Sequence, residues 1–122
     1  QTKETNMTAT PPANSAENLY SRAIPLAGLV AVQPGAVVSR TVVSKPVGTV
    51  TVFAFDQGQG LSTHSAPYDA MVWILEGEAE IAIDGQPLQA KTGDMVLMPA
   101  NRPHALNALR PFKMALVMIK EK

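Results

Sequence analysis

From Val37 to Ile119 no hydrophobic period persists long enough to build a helix. Short apolar runs alternate with turn residues at a spacing of about ten positions, the rhythm of an all-β chain. Val37 to Val43 is β-branched and suits a strand, and Lys45-Pro46-Val47-Gly48 interrupts it. Thr49 to Phe55 forms a second run, closed by the loop Asp56 to Gly60. Leu61 to His64 starts a third run, which Ser65 to Tyr68 bends. Ala70 to Leu75 is apolar throughout, as a central strand requires, and Glu76-Gly77 marks a kink or bulge. Across 78–84, Ala79, Ile81 and Ile83 alternate inward against Glu78, Glu80 and Asp84. Asp84-Gly85 has the composition of a type I′ hairpin turn. Lys91 to Asp94 is a second turn. Met95 to Met98, His104 to Leu109 and Phe112 to Ile119 complete the strands. Many short strands in a chain this size predict a sandwich or a closed barrel, in which few edges stay open.

Before this region the character differs. Residues 1–18 are polar, contain Pro11 and Pro12, and are expected to be a flexible tail; 19–122 form the single expected domain. Leu19 to Val32 carries Ile24, Leu26, Leu29 and Val30 and predicts a short helical turn or an edge strand.

Composition removes several functions. Lys+Arg and Asp+Glu are 10 each, a balance that argues against a nucleic-acid or anionic-membrane partner. There is no Cys, which excludes disulfides, thiolate catalysis and thiolate metal ligands. No apolar run is long enough to span a bilayer. The expected compartment is the cytoplasm, although a chain that starts at Gln1 is also compatible with a removed leader.

Two segments carry a more specific signal. Gly58 to Gly77 holds His64, Ala66, Asp69 and Ala70; Gly93 to Asn107 holds Pro99, Asn101, Pro103 and His104. Gly58 precedes His64 by six positions, Gly93 precedes Pro99 by six, and His104 follows Pro99 by five. In order and spacing these segments resemble the two motifs of the cupins, and the resemblance covers about 35–120. It implies an antiparallel double-stranded β-helix, the jelly-roll barrel of that family. There are departures. The second His of the first motif falls on Ala66. Its Glu falls on Ala70, or on Met71 with the longer spacing. Asn101 stands where the second motif has Gly, and Asn107 is three rather than four positions after His104.

The resemblance implies a site inside the barrel, centred on the chain's two histidines, His64 and His104. Three chemistries are open. As metal ligands, His64 and His104 would hold Fe, Mn, Ni, Zn or Cu for an oxygenase or isomerase; Asp69 would serve as a third ligand if a bulge at Pro67 turned it inward. As a base, either His with Asp69, and with Tyr68 as the acid, would resemble cupin-type sugar epimerases. As a binding module, His64, Ala66, Asp69, Ala70, Met98 and His104 would line a pocket for a small organic molecule, with Met71, Met95, Met114 and Met118 as adaptable lining. This last reading leads. Arg102 and Arg110 read as solvated loop charges, Glu76, Glu78 and Glu80 as a solvated edge, and Trp73 as core or subunit interface. The resemblance also implies a homodimer, with the apolar stretch Leu26 to Val38 packed on a neighbouring copy.

Overall fold

The computed structural model describes residues 19–120, so the tail expected over 1–18 lies outside the described residues. The alternation becomes nine strands among those residues. They are β1 (Val37–Lys45), β2 (Gly48–Phe55), β3 (Gly60–His64), β4 (Asp69–Glu76), β5 (Glu78–Ile83), β6 (Gln86–Lys91), β7 (Met95–Met98), β8 (His104–Ala108) and β9 (Phe112–Ile119). One sheet runs β1-β2-β9-β4-β7 and the other β3-β8-β5-β6. Every pairing is antiparallel, and the two sheets form a jelly-roll barrel.

Local chemistry sets the turns. Asp84 and Gly85 have φ of 54° and 77°, which gives the two-residue β5–β6 hairpin the left-handed pair its twist demands. Gly77 has φ 84°, and a Cβ there would come within 2.7 Å of Phe112 Cβ and strike the Pro111 carbonyl oxygen. Next to it, the β4–β9 register shifts between Ile74 and Glu76, at the kink expected from Glu76-Gly77. Strand β6 has no sequence counterpart beyond the hairpin signal, because Pro87 and Gln89 break its apolar pattern.

The main core lies between the sheets. Phe55 and Phe112 are paired in register on β2 and β9, and their rings stack at 4.4 Å with 3° between planes. Ile74, Ile81, Val72 and Met114 are fully buried around them. A smaller cluster covers the other face of the five-stranded sheet. Here Val30, with Leu26, Leu29, Val32 and Val38, packs on Val52 and Ala54 of β2. Leu26–Leu29 is a 3-10 turn, the helical alternative of the two expected. The apolar stretch expected to seek a neighbouring copy therefore has a surface of its own chain to cover. No helix among the described residues is long and apolar enough to cross a membrane.

Candidate functional site

His64 ends β3 and His104 begins β8, and the two are cross-strand partners. Direct opposition in an antiparallel pair puts both side chains on one face of the sheet, here the inner one. The rings meet edge-on, with centroids 4.4 Å apart and planes at 73°. Their Nε2 atoms are 3.2 Å apart. His104 is buried, at 6% exposure, while His64 is exposed, so the pair reaches from the interior to the mouth.

The facing wall comes from the other sheet. Ala70, at the start of β4, is in register with Met98 at the end of β7 and with Met118 near the end of β9. These three positions and the histidines belong to the same end of the barrel, where the links 65–68 and 99–103 pass between the sheets. A cavity of about 80 Å³ lies between the walls. His64, Ala66, Tyr68, Ala70, Met98, His104 and Met118 line it, with Leu61, Leu106, Met114 and Leu116. The alanines at 66 and 70 add no polar group, so the lining is apolar except at the imidazoles and Tyr68.

The ring nitrogens are not equivalent. His64 Nδ1 lies 2.8 Å from the Ser62 carbonyl oxygen, and His104 Nδ1 lies 3.2 Å from that of Arg102. A carbonyl oxygen only accepts, so each Nδ1 carries the proton and donates it. The two Nε2 atoms lie within hydrogen-bond distance of each other, and a bond between them needs a proton on one of the two. Burial, and next the charge of His64, lower the His104 pKa from its ordinary 6.5, against a smaller upward pull from its bond to Arg102. At neutral pH the buried member is therefore uncharged, and it is the polar group at the closed end of the cavity.

Asp69 does not join this group. Its Oδ1 accepts from the Ala100 N–H at 2.9 Å, and its side chain borders an outer depression with Leu97, Met98 and Pro99. No bulge at Pro67 turns it inward; β4 alternates regularly from exposed Asp69 to buried Ala70. The expected His–Asp dyad and the expected third ligand are both corrected by this. Asp69 instead fixes the rim, together with the Asn101 N–H donated to the Ala66 carbonyl at 2.7 Å. Asn101 takes a left-handed conformation, φ 65°, at the position where the motif has Gly, and the amide tolerates it.

Among the described residues, no group of three or more His, Cys, Asp or Glu converges to hold a metal ion. Two imidazoles fall one short of the three protein ligands that a catalytic site for the expected Fe, Mn, Ni, Zn or Cu would use. Of the methionines named as lining, Met98, Met114 and Met118 face the cavity. Met95, 54% exposed opposite Trp73, and Met71, opposite Leu97, share the outer face. Cross-strand parity with Ala70 is the signal that would have separated them. Trp73 is not core: it is 43% exposed on that outer face. Arg102 pairs with Asp84 at 3.2 Å and Arg110 with Glu78 at 3.7 Å, both on the surface.

The sequence profile of the family described as "Cupin domain" matches residues 51–120. Among solved structures, a conserved protein of unknown function from Streptococcus pyogenes is 36% identical, with a TM-score of 0.81 over 96% of this chain and 99% of that one. A cupin 2 conserved barrel domain protein from Leptotrichia buccalis is 40% identical, with a TM-score of 0.75 over 77% of this chain and 46% of that longer one. A cupin superfamily protein from Desulfitobacterium hafniense is 28% identical, with a TM-score of 0.79 over 83% of this chain and 93% of that one. No curated protein matches the chain.

Proposed function

This chain belongs to the cupin family, and from that premise we propose that it binds a small organic molecule in its barrel interior, with His64 and His104 as the polar end of the site. The observation that carries this reading is an apolar cavity of about 80 Å³ with two convergent imidazoles at one end. The cavity takes a small molecule or the small end of a larger one. The apolar lining favours an uncharged molecule with one hydroxyl, such as a phenol or an alcohol, over a carboxylate, whose charge is costly to desolvate there.

Thermal unfolding at pH 8 with millimolar phenol and, separately, benzoate tests this. Phenol is expected to raise Tm and benzoate to leave it unchanged, with the phenol effect absent in a His64→Ala/His104→Ala variant. If neither compound binds, or if the double variant responds as fully as the parent, the reading fails. The donor set does not support a hard-metal oxygenase or a His–Asp base, so neither is proposed.

We further propose that two copies pair as a homodimer through the outer face of β4 and β7. Trp73, Met95 and Leu97 are exposed there at 43%, 54% and 63% on the edge of the five-stranded sheet. Apolar side chains grouped on one face supply the burial that a subunit contact needs.

A further inference from the structure

We propose that Asp69 and Asp84 are positioning residues for the site: one from each sheet, they tie down the segment 99–103, whose Arg102 carbonyl sets the ring orientation and proton position of His104. What the ring is used for rests on the organic-ligand reading; how the ring is held does not. The segment runs from β7 in one sheet to β8 in the other and belongs to neither ladder. Pro99 and Pro103 bound it and have no N–H to give. Its anchors come from outside. The Ala100 N–H donates to Asp69 Oδ1 at 2.9 Å, and Asp69 opens β4 of the five-stranded sheet. The Asn101 N–H donates to the Ala66 carbonyl at 2.7 Å. Arg102 Nε donates to Asp84 Oδ2 at 3.2 Å, and the Pro103 carbonyl accepts the Asp84 N–H at 2.9 Å. Asp84 lies in the β5–β6 turn of the four-stranded sheet. Each residue from 100 to 103 is thus fixed by a group outside the segment.

The anchors hold the Arg102 carbonyl 3.2 Å from His104 Nδ1. A neutral imidazole carries one proton, and the hydrogen bond at one nitrogen decides the role of the other. Two partners compete for the proton of His104: the Arg102 carbonyl at Nδ1, and His64 Nε2, 3.2 Å from Nε2. The ring is buried, so water does not replace either partner freely. While the carbonyl stays in place, the proton is kept on Nδ1 and Nε2 accepts. Once the segment slackens, the proton moves to Nε2, and that nitrogen turns from acceptor to donor. The Asp84–Arg102 pair is exposed, at 40% and 53%, and contributes little to stability by itself. Its contribution is to geometry, so it is read at the ring and not in an unfolding curve. The charge of Asp69 strengthens the bond it accepts from Ala100.

The test uses the whole chain, labelled with nitrogen-15. Long-range proton–nitrogen spectra at pH 8 read the proton position on each imidazole, and His104→Gln identifies the signals of His104. The parent is expected to show the Nδ1–H form of His104. Asp69→Ala is expected to shift it to a mixture of the two forms. So is Arg102→Met, which keeps the carbonyl and the aliphatic stem but loses Asp84. Asp69→Asn is expected to restore the parent spectrum, because an amide oxygen also accepts the Ala100 N–H. Arg110→Met removes a comparable surface pair, with Glu78 at 3.7 Å, and is expected to leave His104 unchanged. Circular dichroism checks that each variant is folded. An unchanged His104 spectrum in Asp69→Ala or in Arg102→Met would overturn the proposal. So would a shift in Asp69→Asn or Arg110→Met as large as theirs. Phenol affinity is measured separately and is expected to weaken roughly threefold to tenfold in the two shifted variants. If phenol does not bind the parent, the ligand reading fails while the spectra still decide how His104 is held.

Discussion

His104 shows how far a single residue reports on this site. Its pKa is lowered, so the folded chain binds fewer protons than the unfolded chain at pH values just below 6.5. Stability therefore rises with pH through that window and is lost as pH falls below 6.5. Asp94 adds a second loss at lower pH. Its carboxylate accepts the Lys91 N–H, which holds its pKa below 3.8, and that contribution disappears on protonation. Urea midpoints measured between pH 8 and 5 should fall with acid in the parent and fall less in His104→Gln. An identical slope in both would place the titration elsewhere. At this scale the sequence was legible where chemistry and parity agree: His64 and His104 are the only histidines and face each other. Asp69 illustrates the limit. Its residue type suits a site, but one step of strand alternation puts it on the rim, and its partner, Ala100, is 31 positions away.

The strands were read from alternation, and most were found where hydrophobic pattern and turn chemistry reinforced each other. The Asp84-Gly85 hairpin and the Gly77 kink follow from backbone rules that act locally. Strand β6 does not: its residues are exposed except for Ala90, so no apolar period marks it, and its place comes from pairing with β5. The kink yields a sharp expectation. Gly77→Ala forces a left-handed residue against Phe112 and Pro111, and should destabilise by roughly 1–3 kcal/mol or more. The urea midpoint should drop with the slope unchanged. A neutral substitution would mean that β4 and β9 adjust freely at their register shift.

Across the molecule, the barrel followed from the strand rhythm and the two motifs, whereas the outward surface was not legible. Trp73 reads as core or subunit interface in a one-dimensional apolar run, and its pairing with exposed Met95 decides for the outer face. That face makes the homodimer testable by sedimentation. Trp73→Glu/Leu97→Glu should convert a dimer to a monomer with an unchanged circular dichroism spectrum. A parent that sediments as a monomer, or a variant that stays dimeric, would remove the proposed interface.

The arm over Val52 and Ala54 has a practical consequence. The stretch that the family profile matches begins at residue 51, so a gene fragment trimmed to those limits would discard β1, part of β2 and the covering turn. It would keep the jelly roll's inner walls but leave β9 with an unfinished neighbour and an uncapped oily back. Such a fragment is expected to be recovered as aggregate, and the smallest useful version of this protein has to begin upstream of Leu26.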